Sequence, residues 1–172
     1  TEIYTLSLHD ALPISHTMFS RLSPELASAY WHWFYFQAPD LPEIMLANSA
    51  ESFLKTMLNS LSWKPGVIED DMFAEYLRVF TSPGTIRCGL EDYRAAATRD
   101  FEDDAKDLGT KLTCPVYTIW GKFGKMDSLF DVLATWEEKA TSVVGKALPC
   151  GHFIPEEVPE ELLAEVVPFL LK

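Results

Sequence analysis

The chain has 172 residues, of which 48% are hydrophobic and 13% aromatic, a composition typical of a globular protein with a sizeable core. Its 26 acidic and 14 basic residues give a formal net charge of −12, which disfavours nucleic acid and anionic membrane surfaces as partners. The three cysteines form no Cys-x-x-Cys pair and indicate reduced thiols in a cytoplasm rather than a zinc site or a disulfide framework. We expect a soluble cytoplasmic protein with no cofactor and no metal.

Residues 1–14 match the translation of a common sequencing-library adapter that runs in frame into an insert. We therefore treat residues 1–15 as a non-native segment, with a genuine N-terminal strand as the alternative. On this interpretation the native sequence begins near Ser15 or His16 and is the tail of a longer protein.

Residues 16–108 show a helical pattern and are predicted to form a helical cap domain. The first strong helix begins at Ser23-Pro24-Glu25, which supplies an N-cap, a proline at the first position and an acid, and it extends to Gln37. A second helix is predicted to begin at Pro42, and residues 50–61 form either a third helix or the continuation of the second. Further helices are predicted over 70–80 and from Thr85, the last of which carries Tyr93 and ends in the acidic run 100–107.

Residues 109–172 change character and predict strand, helix, strand, helix. The apolar run 114–121 ends at a glycine, as expected of a parallel strand buried on both faces. A helix over 129–140, a second strand over 142–148 and a helix over 159–171 follow. The whole pattern predicts a helical lid followed by the last part of an α/β sheet whose first strands are absent.

His152 is the leading catalytic candidate because it follows a predicted strand, and functional groups gather at the carboxyl ends of strands in open α/β sheets. A structural turn histidine is the alternative. Glu156 and Glu157 fit the role of helix-start acids that complement the helix dipole.

A second candidate site lies in the aromatic run 30–36. Core packing explains most of this run, but the adjacent His32 and Trp33 both carry N–H donors and could border one cavity with the hydroxyl of Tyr93. Three such donors suit a small hard anion. A nucleophile is missing, because no glycine pair has the spacing of a Gly-x-Ser-x-Gly or Gly-x-Asp-x-Gly elbow.

Four motifs together resemble fluoroacetate and haloacetate dehalogenases of the α/β-hydrolase fold. They are Ala29-Tyr-Trp-His-Trp-Phe34, Asp92-Tyr-Arg-Ala95 followed by Asp100-Phe-Glu102, Cys114-Pro115, and Leu148-Pro-x-Gly-His-Phe153. The resemblance covers residues 17–171. It implies a truncated α/β-hydrolase fold, with a helical cap domain followed by the last two parallel strands and helices of the core.

The resemblance also implies a role for each candidate. His152 is the base that activates water to hydrolyse an aspartyl ester, while His32, Trp33 and Tyr93 hold the departing halide and Trp63 lines the substrate pocket. The partner is then a small haloacid. The family's nucleophilic aspartate, its substrate-binding arginines and the acid that orients the base have no matching position after residue 15. Asp127 is an alternative orienting acid, or else a solvated loop residue. We expect the 172-residue chain alone to be inactive.

Two other functions stay open. An epoxide hydrolase would use a pair of tyrosines, Tyr93 with Tyr30 or Tyr35, to protonate the epoxide oxygen. A non-catalytic helical binding module would use the aromatic run as an interface or as core. The sequence does not decide which halide is preferred or whether the full-length protein is a homodimer.

Overall fold

The computed structural model describes residues 15–171. The predicted adapter segment therefore lies outside the described residues, apart from Ser15. The chain divides into two compact units. Among the described residues, the helical unit comprises residues 15–60 and 68–107, and the strand unit comprises residues 61–67 and 108–171. The predicted boundaries at residues 15 and 108 stay a prediction, and the segment Leu61–Val67 belongs to the strand unit.

The helical unit contains seven helices among its described residues. They are α1 (Ser15–Ser20), α2 (Pro24–Ala29), α3 (Trp31–Tyr35), α4 (Leu41–Leu61), α5 (Asp70–Phe80), α6 (Thr85–Ala97) and α7 (Arg99–Lys106), with α4 reaching one residue into the other unit. The core of this unit is formed by Phe36, Leu46 and Leu90, with Phe53 and Tyr93 among the half-buried side chains packed against it.

The predicted start of the first strong helix is confirmed, but its predicted length is wrong. Ser23 caps α2 by accepting a hydrogen bond from Leu26 N at 3.1 Å. The helix stops at Tyr30, whose φ of −115° and ψ of 34° are not helical, and α3 begins at the next residue. In a continuous helix, positions 30 and 32 would lie about 200° apart. The break allows both Tyr30 and His32 to be buried.

Three further segments show how local backbone geometry sets the helix boundaries. Residues 41–61 form one element with a kink at Ser49, so the third predicted helix is a continuation of the second. The Ser49 hydroxyl donates to Met45 O at 2.7 Å, a side-chain bond that accompanies many helix bends. The helix over 70–80 is confirmed. The helix from Thr85 does not continue into the acidic run, because Thr98 (φ −125°, ψ −86°) separates α6 from α7.

The strand unit is built on two parallel strands, β1 (Val116–Gly121) and β2 (Val143–Leu148). They pair in register from Val116 opposite Val143 to Gly121 opposite Leu148. No residue of β1 is exposed, whereas β2 alternates between exposed and half-buried positions until the buried Leu148. The predicted parallel sheet is thus confirmed, with one face of β2 open in the described chain.

Four helices complete this unit: α8 (Lys125–Leu129), α9 (Val132–Glu137), α10 (Ile154–Glu157) and α11 (Pro159–Leu170). The single helix predicted over 129–140 is wrong, because Phe130 is extended and Asp131 begins α9 instead. The Asp131 carboxylate accepts from Ala134 N at 3.0 Å, a standard N-cap bond. Across residues 15–171, no helix is long and apolar enough to span a bilayer.

Candidate active-site elements

His152 lies in the turn between β2 and α10, at the carboxyl end of the strand, as the sequence predicted. Its side chain is exposed, and its ring packs edge-on against Phe153 with centroids 5.0 Å apart. The backbone N–H of His152 donates to Leu61 O at 3.0 Å. The histidine turn is therefore hydrogen-bonded to Leu61, the last residue of α4.

The carboxylate of Glu157 accepts hydrogen bonds from four backbone N–H groups in the strand unit. Glu157 is 5% exposed. Its oxygens accept from Gly151 N at 3.0 Å and from Phe153 N at 3.3 Å, on either side of His152. They also accept from Trp63 N at 2.9 Å and Lys64 N at 3.2 Å. A buried charge that is satisfied by several N–H donors is the arrangement that stabilises a carboxylate away from water.

Two glycines allow the backbone segments around His152 to approach closely. A Cβ at Gly151 would lie 2.6 Å from both Leu61 O and Trp63 N, and 2.8 Å from Glu157 Oε1. A Cβ at Gly121, the last residue of β1, would lie 1.7 Å from Gly151 O. Any side chain at either position would force the end of β1, the histidine turn and the 61–63 segment apart.

Cys150 precedes this turn but has no nucleophilic character in the fold. It is fully buried in the small core that it forms with Leu148 and Val158. Burial, and secondarily the charge of Glu157, raises the pKa of the Cys150 thiol to about 11. The thiol is therefore protonated at neutral pH, and a protonated thiol is a poor nucleophile.

Trp63 and Phe123 form an exposed aromatic pair in the strand unit. Their rings stack with centroids 4.2 Å apart and an interplanar angle of 26°. Trp63 is 54% exposed and Phe123 44% exposed. Because Phe123 N donates to Cys150 O at 3.0 Å and Trp63 N donates to Glu157, both rings are carried by backbone that is bonded to the region of the histidine turn.

Asp127, the alternative orienting acid, lies in the first turn of α8 and is exposed. Its Oδ1 accepts a hydrogen bond from Trp120 Nε1 at 2.7 Å. This bond fixes the carboxylate beside the penultimate residue of β1. The assignment of Asp127 as an orienting acid for His152 stays a prediction.

The helical unit brings together the three residues predicted to bind a halide. Tyr93 on α6 meets the rings of His32 and Trp33 on α3 edge-on, with centroid separations of 6.0 Å and 5.5 Å. The His32 side chain is buried, and those of Trp33 and Tyr93 are half-buried. The break before α3 and the packing of α6 thus bring the rings of these three side chains into one aromatic cluster.

Arg94, the neighbour of Tyr93, anchors α6 at this point. Its guanidinium bonds Glu43 Oε1 at 2.7 Å, Glu91 Oε1 at 2.8 Å and Ala38 O at 2.7 Å. These bonds, to Glu43 first and Glu91 next, raise the pKa of Arg94 above its usual range, and the same contact lowers the pKa of Glu43. The backbone of α6 next to Tyr93 is therefore held in place by the three hydrogen bonds of Arg94.

Within residues 15–171, no group of three or more His, Cys, Asp or Glu side chains is placed to hold a metal ion. The candidate site residues of the described chain instead fall in two places. One is the histidine turn with Glu157 in the strand unit, and the other is the aromatic cluster of the helical unit.

Comparison with known proteins agrees with this architecture. No protein-family model matches the chain. A fluoroacetate dehalogenase from Burkholderia sp. is 31% identical over 163 residues, which cover 92% of this chain and 53% of that protein. A soluble epoxide hydrolase from Corynebacterium sp. (strain C12) is 33% identical over 140 residues, which cover 80% of this chain and 47% of that protein. The chain spans about half the length of the curated relatives it matches.

Solved structures give the same result. A protein of Nostoc sp. PCC 7120, proposed to be an α/β hydrolase, is 43% identical with a TM-score of 0.87, over 91% of this chain and 54% of that one. The chain has a truncated α/β-hydrolase fold, as predicted, and its relatives place it in the α/β-hydrolase superfamily. A Salmonella enterica protein, proposed to be an acyltransferase, is 39% identical with a TM-score of 0.88, over 91% and 52% of the two chains.

Glu157 is the feature of this α/β-hydrolase segment that the sequence did not reveal. Glu157 lies in the single turn of α10, as predicted for a helix-start acid, but its carboxylate also bonds the two loops described above, which the sequence did not predict. Its spacing of five residues from His152 carries no recognisable motif by itself. Only the fold brings residues 63 and 64 next to residue 157.

Proposed function

We propose that this chain is the C-terminal part of a haloacetate dehalogenase that acts on fluoroacetate-type substrates. The observation that carries the proposal is the cluster of His32, Trp33 and Tyr93, in which the Tyr93 ring lies 6.0 Å from the His32 ring and 5.5 Å from the Trp33 ring. Donors of these types, fixed in advance, would stabilise a departing halide. The 31% identical fluoroacetate dehalogenase supports it. The substrate in this proposal is a small haloacid, and no cofactor takes part.

The chemistry follows from where charge develops. An aspartate outside the described residues attacks the carbon that bears the halogen, an ester forms, and halide leaves with the bonding electron pair. Fluoride concentrates its charge and is a poor leaving group, so N–H and O–H donors that are fixed in advance lower the barrier. His152 then takes a proton from water, and the resulting hydroxide cleaves the ester and restores the aspartate.

Variants of Trp31 and Trp33, which flank His32, test the halide site in the full-length protein, which extension of the gene upstream would supply. Trp33→Phe keeps an aromatic ring but removes the indole N–H, and we expect fluoride release from fluoroacetate to fall about a hundredfold. Chloride release from chloroacetate should fall less, because the larger halide needs the donors less. Trp31→Phe is the matched control, since Trp31 is 48% exposed and is not assigned to the site. Equal losses for both substrates would contradict the halide assignment.

An epoxide hydrolase is the second candidate, and the 33% identical soluble epoxide hydrolase favours it as strongly. In that reaction Tyr93 and a second tyrosine protonate the epoxide oxygen. Tyr35 is an available partner by sequence, although its hydroxyl donates to Met45 Sδ at 2.8 Å, while Tyr30 is 5% exposed. Tyr93→Phe should then abolish diol formation from an epoxide, whereas Trp33→Phe should leave it nearly unchanged.

The nucleophile motif in the upstream sequence would distinguish these two candidates from hydrolases that use a serine nucleophile. A Gly-x-Asp-Arg elbow supports the dehalogenase, whereas a Gly-x-Ser-x-Gly elbow would overturn both aspartate-ester proposals. A non-catalytic binding module is the remaining alternative. It requires that the full-length protein release no halide and open no epoxide. The dehalogenase proposal also includes a cytoplasmic location, a homodimeric full-length protein, and no nucleic-acid or membrane partner. These points are to be tested on the same full-length protein.

A further inference from the structure

We propose that Glu157 is a positioning residue that holds the His152 turn and the Trp63 loop (residues 61–64) together as one rigid body. The inference rests on the proposed function for its catalytic consequence, because it assigns the base and the pocket-wall aromatic to a shared support. The claim that Glu157 holds the two segments together rests on the hydrogen bonds alone.

The two segments are joined in both directions. The Glu157 carboxylate accepts from Gly151 N and Phe153 N in the turn, and from Trp63 N and Lys64 N in the loop. In return, His152 N donates to Leu61 O at 3.0 Å, and Lys64 Nζ donates to the backbone oxygen of Glu157 at 3.1 Å. Neither segment can move without breaking bonds to the other.

The position requires an acceptor with no hydrogen of its own. A carboxylate offers about four lone-pair directions, which matches four N–H donors, whereas the amide of glutamine turns one side of the group into a donor. Removal of the charge would therefore leave backbone N–H groups unsatisfied in a buried place. Gly151 supports the same conclusion, because its missing Cβ is what allows Leu61 O and Trp63 N to approach.

A helix-dipole role does not account for this geometry. Glu157 lies in the single turn of the four-residue α10, but a dipole role requires none of its hydrogen bonds to Trp63 N and Lys64 N. The neighbouring exposed acids Glu160 and Glu161 occupy the first turn of α11, where acids do complement the dipole. Glu157 is distinguished from them by its burial and by bonds that span more than 90 residues of sequence.

The catalytic consequence concerns His152. The Glu157 carboxylate bonds the backbone N–H groups of Gly151 and Phe153, the residues immediately before and after His152. These bonds therefore fix the backbone position from which the His152 side chain extends. A shift of about 1 Å in a catalytic group can cost about a hundredfold in rate. We therefore expect the step that uses His152, the hydrolysis of the ester, to be more sensitive to Glu157 than the first displacement of halide.

The kinetic test uses the full-length protein with Glu157→Gln, Glu157→Asp and, as a matched control, the exposed Glu160→Gln. Glu157→Gln should retain the first-turnover burst of halide but lose about tenfold to a hundredfold in steady-state kcat. Glu157→Asp, which keeps the acceptor but is one methylene shorter, should recover part of the loss, and Glu160→Gln should match wild type. Wild-type kcat in Glu157→Gln, or an equal loss of burst and turnover, would overturn the inference.

A second test uses the 172-residue chain and does not depend on its activity. In ¹⁵N-labelled Glu157→Gln, the amide signals of Trp63 and Lys64 should shift together with those of Gly151 and Phe153, and Glu160→Gln should leave them unchanged. Shifts confined to the turn would show that the loop is independently held. If the variant does not fold, amide exchange of the unmodified chain decides: protection of Trp63 and Gly151 should agree within about threefold, and a larger difference contradicts a shared body.

The two proposals fail in different ways. If the wild-type full-length protein releases no halide, the proposed function fails, and the amide signals still decide whether Glu157 couples the two segments. If wild type is active and Glu157→Gln turns over equally fast, the function stands and the positioning role is wrong.

Discussion

Tyr117 and Glu165 hold the last helix against the sheet of the strand unit. The Tyr117 ring stacks on Phe169 with centroids 5.3 Å apart, and its hydroxyl donates to Glu165, which also pairs with Lys146 at 2.5 Å. Burial, together with the hydrogen bond to Glu165, raises the pKa of Tyr117 from 10.0 to about 12. The phenol is thus stabilised in its protonated form by the fold.

This pKa shift predicts a loss of stability at alkaline pH. Between pH 10 and 12 the unfolded tyrosine gives up its proton while the folded one keeps it, so the free energy of unfolding falls as pH rises through this window. Below pH 10 the contribution is complete. Tyr117→Phe removes the titrating group and should flatten this part of the profile in urea unfolding at a series of pH values. A profile for Tyr117→Phe that falls as steeply as that of wild type would contradict the prediction.

Helix boundaries in this chain depend on single capping residues. Asp131 is the N-cap of α9, and its carboxylate accepts from Ala134 N. Asp131→Ala removes this acceptor and should lower the free energy of unfolding by about 1 kcal/mol. Asp131→Ser keeps an N-cap oxygen and should recover most of the loss, as measured by urea denaturation. No difference between the alanine and serine variants would show that the cap bond does not stabilise the fold.

The same elements show what sequence periodicity can and cannot predict. Apolar patterning located the helices at 41–61 and 70–80 and both parallel strands, which carry the most regular hydrophobic patterns of the chain. It missed the breaks at Tyr30, Thr98 and Phe130, where the backbone leaves helical geometry although the residue types do not forbid a helix. Such breaks are set by tertiary packing, which overrides local propensity.

The candidate site divides in a similar way. His152 at the end of a strand and the grouping of His32, Trp33 and Tyr93 could be anticipated, the first from chain order and the second through family resemblance. Glu157 could not, because two of its partners, Trp63 N and Lys64 N, lie more than 90 residues away in sequence. Its residue type is as consistent with an exposed helix acid as with a buried acceptor.

At the scale of the described chain, each unit contains a buried core cluster, one around Leu90, Phe36 and Leu46 in the helical unit and one around Leu148, Cys150 and Val158 in the strand unit. Leu90 and Leu148 are each 2% exposed, which makes them a matched pair of probes. Because contacts cluster within each unit, a cavity in one core should weaken that unit more than the other. Cooperative units of this kind open with their own free energies.

Leu90→Ala should therefore cost about 2 to 5 kcal/mol in the helical unit, through lost burial and the cavity left behind. Hydrogen exchange followed by mass spectrometry should show faster exchange concentrated in residues 15–60 and 68–107. Leu148→Ala should produce the reverse pattern, with faster exchange in residues 61–67 and 108–171. If either variant instead accelerates exchange equally throughout both ranges, the two units unfold as one cooperative body, and the separation of their cores has no energetic consequence.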